Sequence, residues 1–226
     1  MSTLADYLTF AKAHPTLFEN PPGAGYIVLL DKVDIQQAEA NMVMWLKAKG
    51  LPTDWAQVGI AFQDQYGMIL RDAVRFPSGL LGTYIRMVGD GTPGIIVLPV
   101  YHGQVLLIRH FRHATRTWHI EIPRGFGEKG LSSNENARRE LKEEIGASIS
   151  RLVSLGQVYP DTGALSEYND FFYAEVESYG PPEADEAIVE LLPTSITEFE
   201  RMIRDNEIED GFTITAYGLA KARGLL

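Results

Sequence analysis

One stretch constrains this chain more than any other: Gly125-Phe-Gly-Glu-Lys-Gly-Leu-Ser-Ser-Asn-Glu-Asn-Ala-Arg-Arg-Glu-Leu-Lys-Glu-Glu-Ile-Gly-Ala147. It opens as a glycine-rich loop at Gly125, Gly127 and Gly130, Ser133 can cap the helix that follows, and Gly146 stops it. Glu140 and Glu144 stand four residues apart, which puts their Cβ atoms about 5–6 Å apart on one helix face. Glu143 is on the same side. Like charges stacked in this way disfavour an isolated helix. A divalent cation offsets the repulsion directly, and hard oxygen donors without His or Cys favour Mg²⁺ or Mn²⁺ over Zn²⁺. The glycines let main-chain groups come close to an ion or a phosphate. Taken alone, the same carboxylates also fit a solvated acidic face with Arg138, Arg139 and Lys142 as neighbours one turn away.

The rest of the chain reads as strands mixed with a few helices, an α/β (α+β) fold with a mixed sheet sandwiched between helices. Residues 3–14 and 33–49 have helical spacing and are closed by His14-Pro15 and by Gly50 with Pro52. Val58–Phe62, Met68–Phe76 and Leu80–Val88 suggest an antiparallel meander. Ile95–Tyr101 and Gln104–Phe111, joined at His102-Gly103, form a hairpin pattern. A short strand is expected at Trp118–Ile122, a helix at Ser133–Ile145, and strands near Leu152–Tyr159 and Asp170–Glu177. Helices at Ile196–Arg204 and Thr213–Lys221 complete the chain.

Charge and composition remove several classes of function. Twenty Lys+Arg against thirty Asp+Glu leave a net charge of −10, which repels a nucleic-acid backbone and an anionic membrane surface. The chain has no cysteine, which excludes disulfides, thiolate metal sites and cysteine nucleophiles. The first residues carry Asp6 and lack a basic start followed by an apolar run, so they do not read as a signal peptide. No apolar run approaches the ~20 residues that span a bilayer. A soluble cytoplasmic protein is the expectation.

The Gly125–Ala147 stretch resembles the Nudix hydrolase signature, G-x5-E-x7-R-E-U-x-E-E-x-G-U with U apolar. Gly125, Arg139, Glu140, Leu141, Glu143, Glu144, Gly146 and Ala147 occupy matching positions; Leu131 stands where the family has glutamate. That glutamate usually braces the box arginine, so the departure implies an altered brace for Arg139. The resemblance implies that Glu140 and Glu144 are the principal metal ligands, that Glu143 assists, and that the carbonyl of Arg124 completes the inner shell.

Leu107-Ile-Arg-His-Phe-Arg112 and Trp118-His-Ile-Glu-Ile-Pro-Arg-Gly125 look like the ADP-ribose pyrophosphatase branch, which hydrolyses nucleoside diphosphate sugars and related compounds. The likeness implies that Arg112 contacts the substrate diphosphate and that Glu121 lies beside the metal. Trp118 is a candidate to stack on the nucleobase, as are Trp55, Phe76 and Tyr84, although each also suits a core position. Glu183-Ala-Asp-Glu186 resembles the late loop that supplies the base in this branch, with Glu186 first choice and Glu183 second; an acidic surface turn fits equally. His110 and His113 suit proton transfer or hydrogen bonding to phosphate. Thr162 stands where the branch often has proline, fifteen residues beyond the box.

The implied organisation is a helical extension over 1–54, a β-meander over 55–90 that forms a homodimer interface, and a Nudix hydrolase domain over 91–226. Arg71, Arg75 and Arg86 lie on the meander, where they are either solvated or in reach of a partner's substrate. The implied reaction is metal-dependent hydrolysis of a small nucleoside diphosphate compound, with no nucleic-acid or membrane partner. Preference for GDP-mannose or UDP-glucose, or a non-catalytic binding module, are the alternatives.

Overall fold

A computed structural model describes residues 3–181 and 187–226. The chain divides into two compact units. One runs through Gly91 and includes Asp161–Ser166; the other comprises Thr92–Pro160 and Glu167–Leu226.

The first unit contains α1 (Leu4–Ala13), β1 (Ile27–Leu29), α2 (Lys32–Ala48), β2 (Gly59–Gln63), β3 (Gly67–Arg75) and β4 (Leu81–Gly89). A capping box of Thr3 with Asp6 starts α1, and the Asp31 carboxylate caps α2. The expected meander is present. β3 is its central strand, paired along its length with β4 and, on its other edge, with β2 and then β1. β1 went unrecognised because three residues are too few to show a period; the Asn20 side chain holds it by accepting the Val28 N–H at 2.8 Å and donating to the Val28 carbonyl at 3.0 Å. Tyr7, Ile35, Leu70 and Ala73 form the centre of the core, so residues of the extension pack directly on the sheet. One polar link sits inside it. Asp72, 2% exposed, accepts the Tyr7 hydroxyl and Arg86 Nε, each at 2.6 Å. Segment 161–166 joins this unit beside β4, through Met87 N–H to the Ala164 carbonyl at 2.8 Å and Ser166 N–H to the Met87 carbonyl at 3.0 Å.

The second unit contains β5 (Gly94–Tyr101), β6 (Gln104–Arg112), β7 (Thr117–Glu121), β8 (Arg124–Phe126), α3 (Ser133–Ile145), β9 (Ser148–Val158), β10 (Asn169–Ser178), β11 (Ile188–Ser195), α4 (Ile196–Arg204) and α5 (Gly211–Ala222). Its mixed sheet has the order β11-β6-β5-β10-β9, with β5 and β10 parallel. Alternation along the central strands sorts the two faces. Ile95, Val97, Leu106 and Ile108 pack with Ala137, Leu141 and Ile145 of α3. Ile96, Leu98, Val105 and Leu107 pack with Phe199, Met202, Ala216 and Ala220 of α4 and α5. The sheet is therefore sandwiched between helices, as expected.

The β5–β6 hairpin pairs only at its tip, Val100 with Val105 and Tyr101 with Gln104. Beyond that the strands diverge, and β7 pairs with the free length of β6 while β8 pairs with that of β5. This fork places Glu121 and Arg124 at the end of the sheet from which the glycine loop leads into α3. No described helix is long and apolar enough to cross a membrane.

Candidate functional site

The α3 helix occupies the expected residues, but its cap is Ser132 and not Ser133. Ser132 Oγ accepts the Glu135 N–H at 3.3 Å, while the Glu135 carboxylate accepts the Ser132 N–H at 2.8 Å. The Ser-x-x-Glu spacing decides between two adjacent serines. Ser133 instead donates to the buried Asp170 of β10 at 2.6 Å, tying the helix start to the sheet. Asn136, 3% exposed, accepts the Glu128 N–H at 2.8 Å and donates to the Glu128 carbonyl at 3.3 Å, which closes the glycine loop on the helix.

Glu140 and Glu144 turn inward from α3, at 5% and 2% exposure, against the turn at Arg124-Gly125. A Cβ on Gly125 would fall on the Glu140 carboxylate as it stands, so the glycine leaves room for that carboxylate against the turn. The Arg124 N–H donates to Glu144 Oε2 at 2.9 Å. Arg139 supplies an internal cation for the acidic face. It donates to Glu140 at 2.5 Å, to Glu143 at 2.7 Å and to the Phe126 carbonyl at 2.9 Å, with the Glu128 carboxylate 3.8 Å from its Nε. Burial alone would lower the Arg139 pKa, but the Glu143, Glu140 and Glu128 carboxylates raise it. These contacts brace Arg139 in a chain that has Leu131, 40% exposed, at the position of the usual glutamate.

Glu121 is the second centre. It is fully buried, with His110 Nδ1 at 3.2 Å, Arg112 in direct ion-pair contact and Arg124 Nη2 at 3.4 Å. Burial would raise its pKa; the close contacts of His110 and Arg112 and the charges of Arg112 and Arg124 outweigh burial and hold it below the ordinary glutamate value. Arg112 is thereby oriented by a carboxylate at its back, with a quarter of its side chain open to solvent.

The structure does not bring Trp118 to this cluster. His110 pairs with His119 and Phe111 with Trp118, so alternation along β7 sends Trp118 to the face opposite Glu121. There its ring meets Phe111 at 5.3 Å and lines a cavity of about 500 Å³ with Arg109, Ile120, Leu192 and Met202. Glu183 and Glu186 lie outside the described residues. His113 bonds to Arg116 at 2.8 Å. Three of the candidates on the meander have structural partners: Arg71 donates to the Gln57 carbonyl, Arg75 is 3.9 Å from Asp34, and Arg86 serves Asp72. Phe76 and Tyr84 both pack on Tyr26. Two contributors went unrecognised, Asp210 and Thr213, although Asp-x-x-Thr is itself a readable helix-start pattern.

The donors fit a hard divalent cation. Glu140, Glu144 and the neighbouring main chain offer only oxygen ligands. Among the described residues no group of three or more acidic or histidine side chains is arranged to enclose an ion.

Comparison with known proteins agrees with this geometry. The chain is 28% identical over 118 residues to the ADP-ribose pyrophosphatase of Bacillus subtilis (strain 168), covering 50% of this chain and 63% of that protein. It is 29% identical over 82 residues to the ADP compounds hydrolase NudE of Escherichia coli (strain K12), covering 36% of this chain and 44% of that protein. The matched region thus spans less than two thirds of either relative's length. The crystal structure of an ADP compounds hydrolase superposes with a TM-score of 0.66 at 19% identity, over 75% of this chain and 95% of the other, which shows the shared fold. Nudix hydrolases generally use divalent metal ions. The NUDIX domain model matches residues 91–211, more than half of the 226 residues, and the chain belongs to the Nudix family.

Proposed function

We propose that this protein is a diphosphate hydrolase dependent on Mg²⁺ or Mn²⁺. It cleaves a nucleoside diphosphate joined to a sugar or similar group into a nucleoside monophosphate and a phosphorylated partner. The observation that carries this reading is the pair of buried carboxylates, Glu140 and Glu144, packed against the Arg124-Gly125 turn beside the Arg112–Glu121 ion pair. Glu140 and Glu144 hold the ion, Glu143 assists, and the Arg124 carbonyl adds a main-chain oxygen. When bound, the ion neutralises diphosphate charge and acidifies nearby water. Arg112 neutralises further phosphate charge through its planar fork, and Glu121 fixes the orientation of that fork. Water adds to one phosphorus as the bridging P–O bond breaks, and its proton passes to a base. Glu186 is that base on the sequence pattern, with Glu183 second.

The relatives named for ADP-ribose and ADP compounds favour an ADP-linked substrate. Thr162, where that branch often has proline, keeps GDP-mannose and UDP-glucose in the panel. A non-catalytic binding module is favoured by Leu131 and by the hold of Arg139 on Glu140 and Glu143. Purified protein with Mg²⁺ and a panel of nucleoside diphosphate compounds separates these readings. Turnover of ADP-ribose above the others is the expected result; binding without turnover of any compound would establish the module.

The protein is a homodimer through the outer face of the meander. Phe62, Ile69 and Met87 share one register row, and Phe62 and Met87 are 55% and 48% exposed, with Ile85 at 50% nearby. Such an apolar row suits a partner surface. Light scattering at micromolar concentration should give twice the chain mass, and Phe62→Glu should halve it; a monomeric native protein removes this assignment. The cysteine-free composition suits a reducing, cytoplasmic setting.

A further inference from the structure

Asp210 does two things at once. One carboxylate oxygen accepts the Thr213 N–H and the Thr213 hydroxyl, both at 2.8 Å, and so caps α5. The other accepts Arg124 Nη2 at 3.0 Å. The Asp210 side chain is 8% exposed, and the Arg124 guanidinium also lies over the Phe212 ring at 4.6 Å. Thr213, fully buried, accepts the Ile122 N–H at 3.0 Å. The start of α5 therefore grips the chain on both sides of Pro123, through Ile122 and through Arg124. The same short segment carries the Arg124 N–H that bonds to Glu144.

The charges are arranged so that this grip matters. Arg124 is shared between Asp210 and Glu121, and Glu121 also faces Arg112 and His110. Without Asp210 the guanidinium would keep one carboxylate among the described residues, Glu121 at 3.4 Å, beside the Phe212 ring, and the turn at Arg124-Gly125 would lose its ionic link to α5. The Glu144 carboxylate takes its orientation from that turn.

We infer that Asp210 is a positioning residue for the Glu140–Glu144 pair, acting through Arg124 to fix the main-chain N–H that orients Glu144. The inference rests on the assignment of that pair as ligands of a divalent cation. Outer partners of metal ligands are worth roughly 10–100-fold in metal affinity or activity. Asp210 acts at one remove from the carboxylate, so the lower end, about tenfold, is expected.

Asp210→Asn keeps an acceptor for Thr213, and hence the cap, while removing the charge that Arg124 faces. Arg124→Met removes the guanidinium but keeps the N–H. Three readouts apply to both variants: affinity for Mn²⁺ alone by electron paramagnetic resonance, hydrogen exchange of the Arg124 amide, and kcat separated from KM. Each variant should bind Mn²⁺ about tenfold more weakly, exchange the Arg124 amide faster, and lose kcat with KM little changed. The double variant should be no worse than either single one, because both act through one contact. Arg124→Lys should recover part of the loss. Native Mn²⁺ affinity and native amide protection in Asp210→Asn would overturn the positioning role, as would losses that multiply in the double variant. Glu144→Gln serves as the reference. If it loses Mn²⁺ while Asp210→Asn does not, only the positioning role fails; if it binds Mn²⁺ as the native protein does, the ligand assignment fails and takes this inference with it.

Discussion

Replacing Glu144 by glutamine is expected to abolish turnover while leaving the fold intact. The substitution keeps volume and an acceptor oxygen for the Arg124 N–H, so the contact that orients the side chain survives. What disappears is a negative charge that is 2% exposed and one helical turn from Glu140. Removing one of two stacked like charges costs the helix nothing and relieves repulsion, so unfolding free energy should stay within about 1 kcal/mol of native. Turnover should fall by more than the roughly 10–100-fold typical of outer partners, because a ligand is lost and not a support. A thousandfold loss corresponds to about 4 kcal/mol of transition-state stabilisation. Glu143→Gln is the internal comparison. Glu143 is 31% exposed and occupied by Arg139, so its loss should cost less. Near-native rates in Glu144→Gln, measured with Mg²⁺ saturating, would show that the pair holds no functional ion.

Much of this architecture can be read from periodicity, and the parts that cannot share a physical cause. Helices α3 and α4 and the β5–β6 hairpin are long or strongly punctuated, and the structure has them at the expected residues. β8 escaped notice because three residues around Gly125 look like loop, and its strand character comes from pairing with the free length of β5. β11 escaped because Pro193 argues against a strand, yet it is an edge strand, where a missing N–H is tolerated. Spacing alone brings Glu140 and Glu144 together, since they share a helix face. Their closeness to Gly125 and Arg124 does not follow from spacing; it needs the fork in the sheet. Trp118 shows the same limit. Which face a strand residue takes depends on register, and the pairing of His110 with His119 settles it. Asp210 is 86 residues from Arg124, and only the folded chain brings them into contact.

Glu121→Gln should be strongly destabilising, and its cost should depend on pH. Glu121 has no exposed surface and is the shared anion for His110, Arg112 and Arg124, with Asp210 behind Arg124 as the next carboxylate. Glutamine fits the same space, so no cavity opens; the loss is electrostatic. Removing one member of a buried charge cluster leaves its partners uncompensated, which typically costs about 3–5 kcal/mol. Arg112 and Arg124 keep a quarter of their side chains open to water, so the lower half of that range is expected at pH 7. The sign of the pH dependence follows from the depressed pKa of Glu121. Its folded value lies below the unfolded value of about 4.5, so the folded state holds its proton less tightly. Its contribution is therefore complete above the unfolded pKa and disappears as the pH falls through the folded one. Urea unfolding of native and variant protein at pH 7 should show the full difference, and the two curves should converge as the pH is lowered from about 4.5. A difference that stays constant down to the acid transition would mean that Glu121 contributes shape and not charge. A difference below about 1 kcal/mol at pH 7 would mean that Arg112 and Arg124 are satisfied without it.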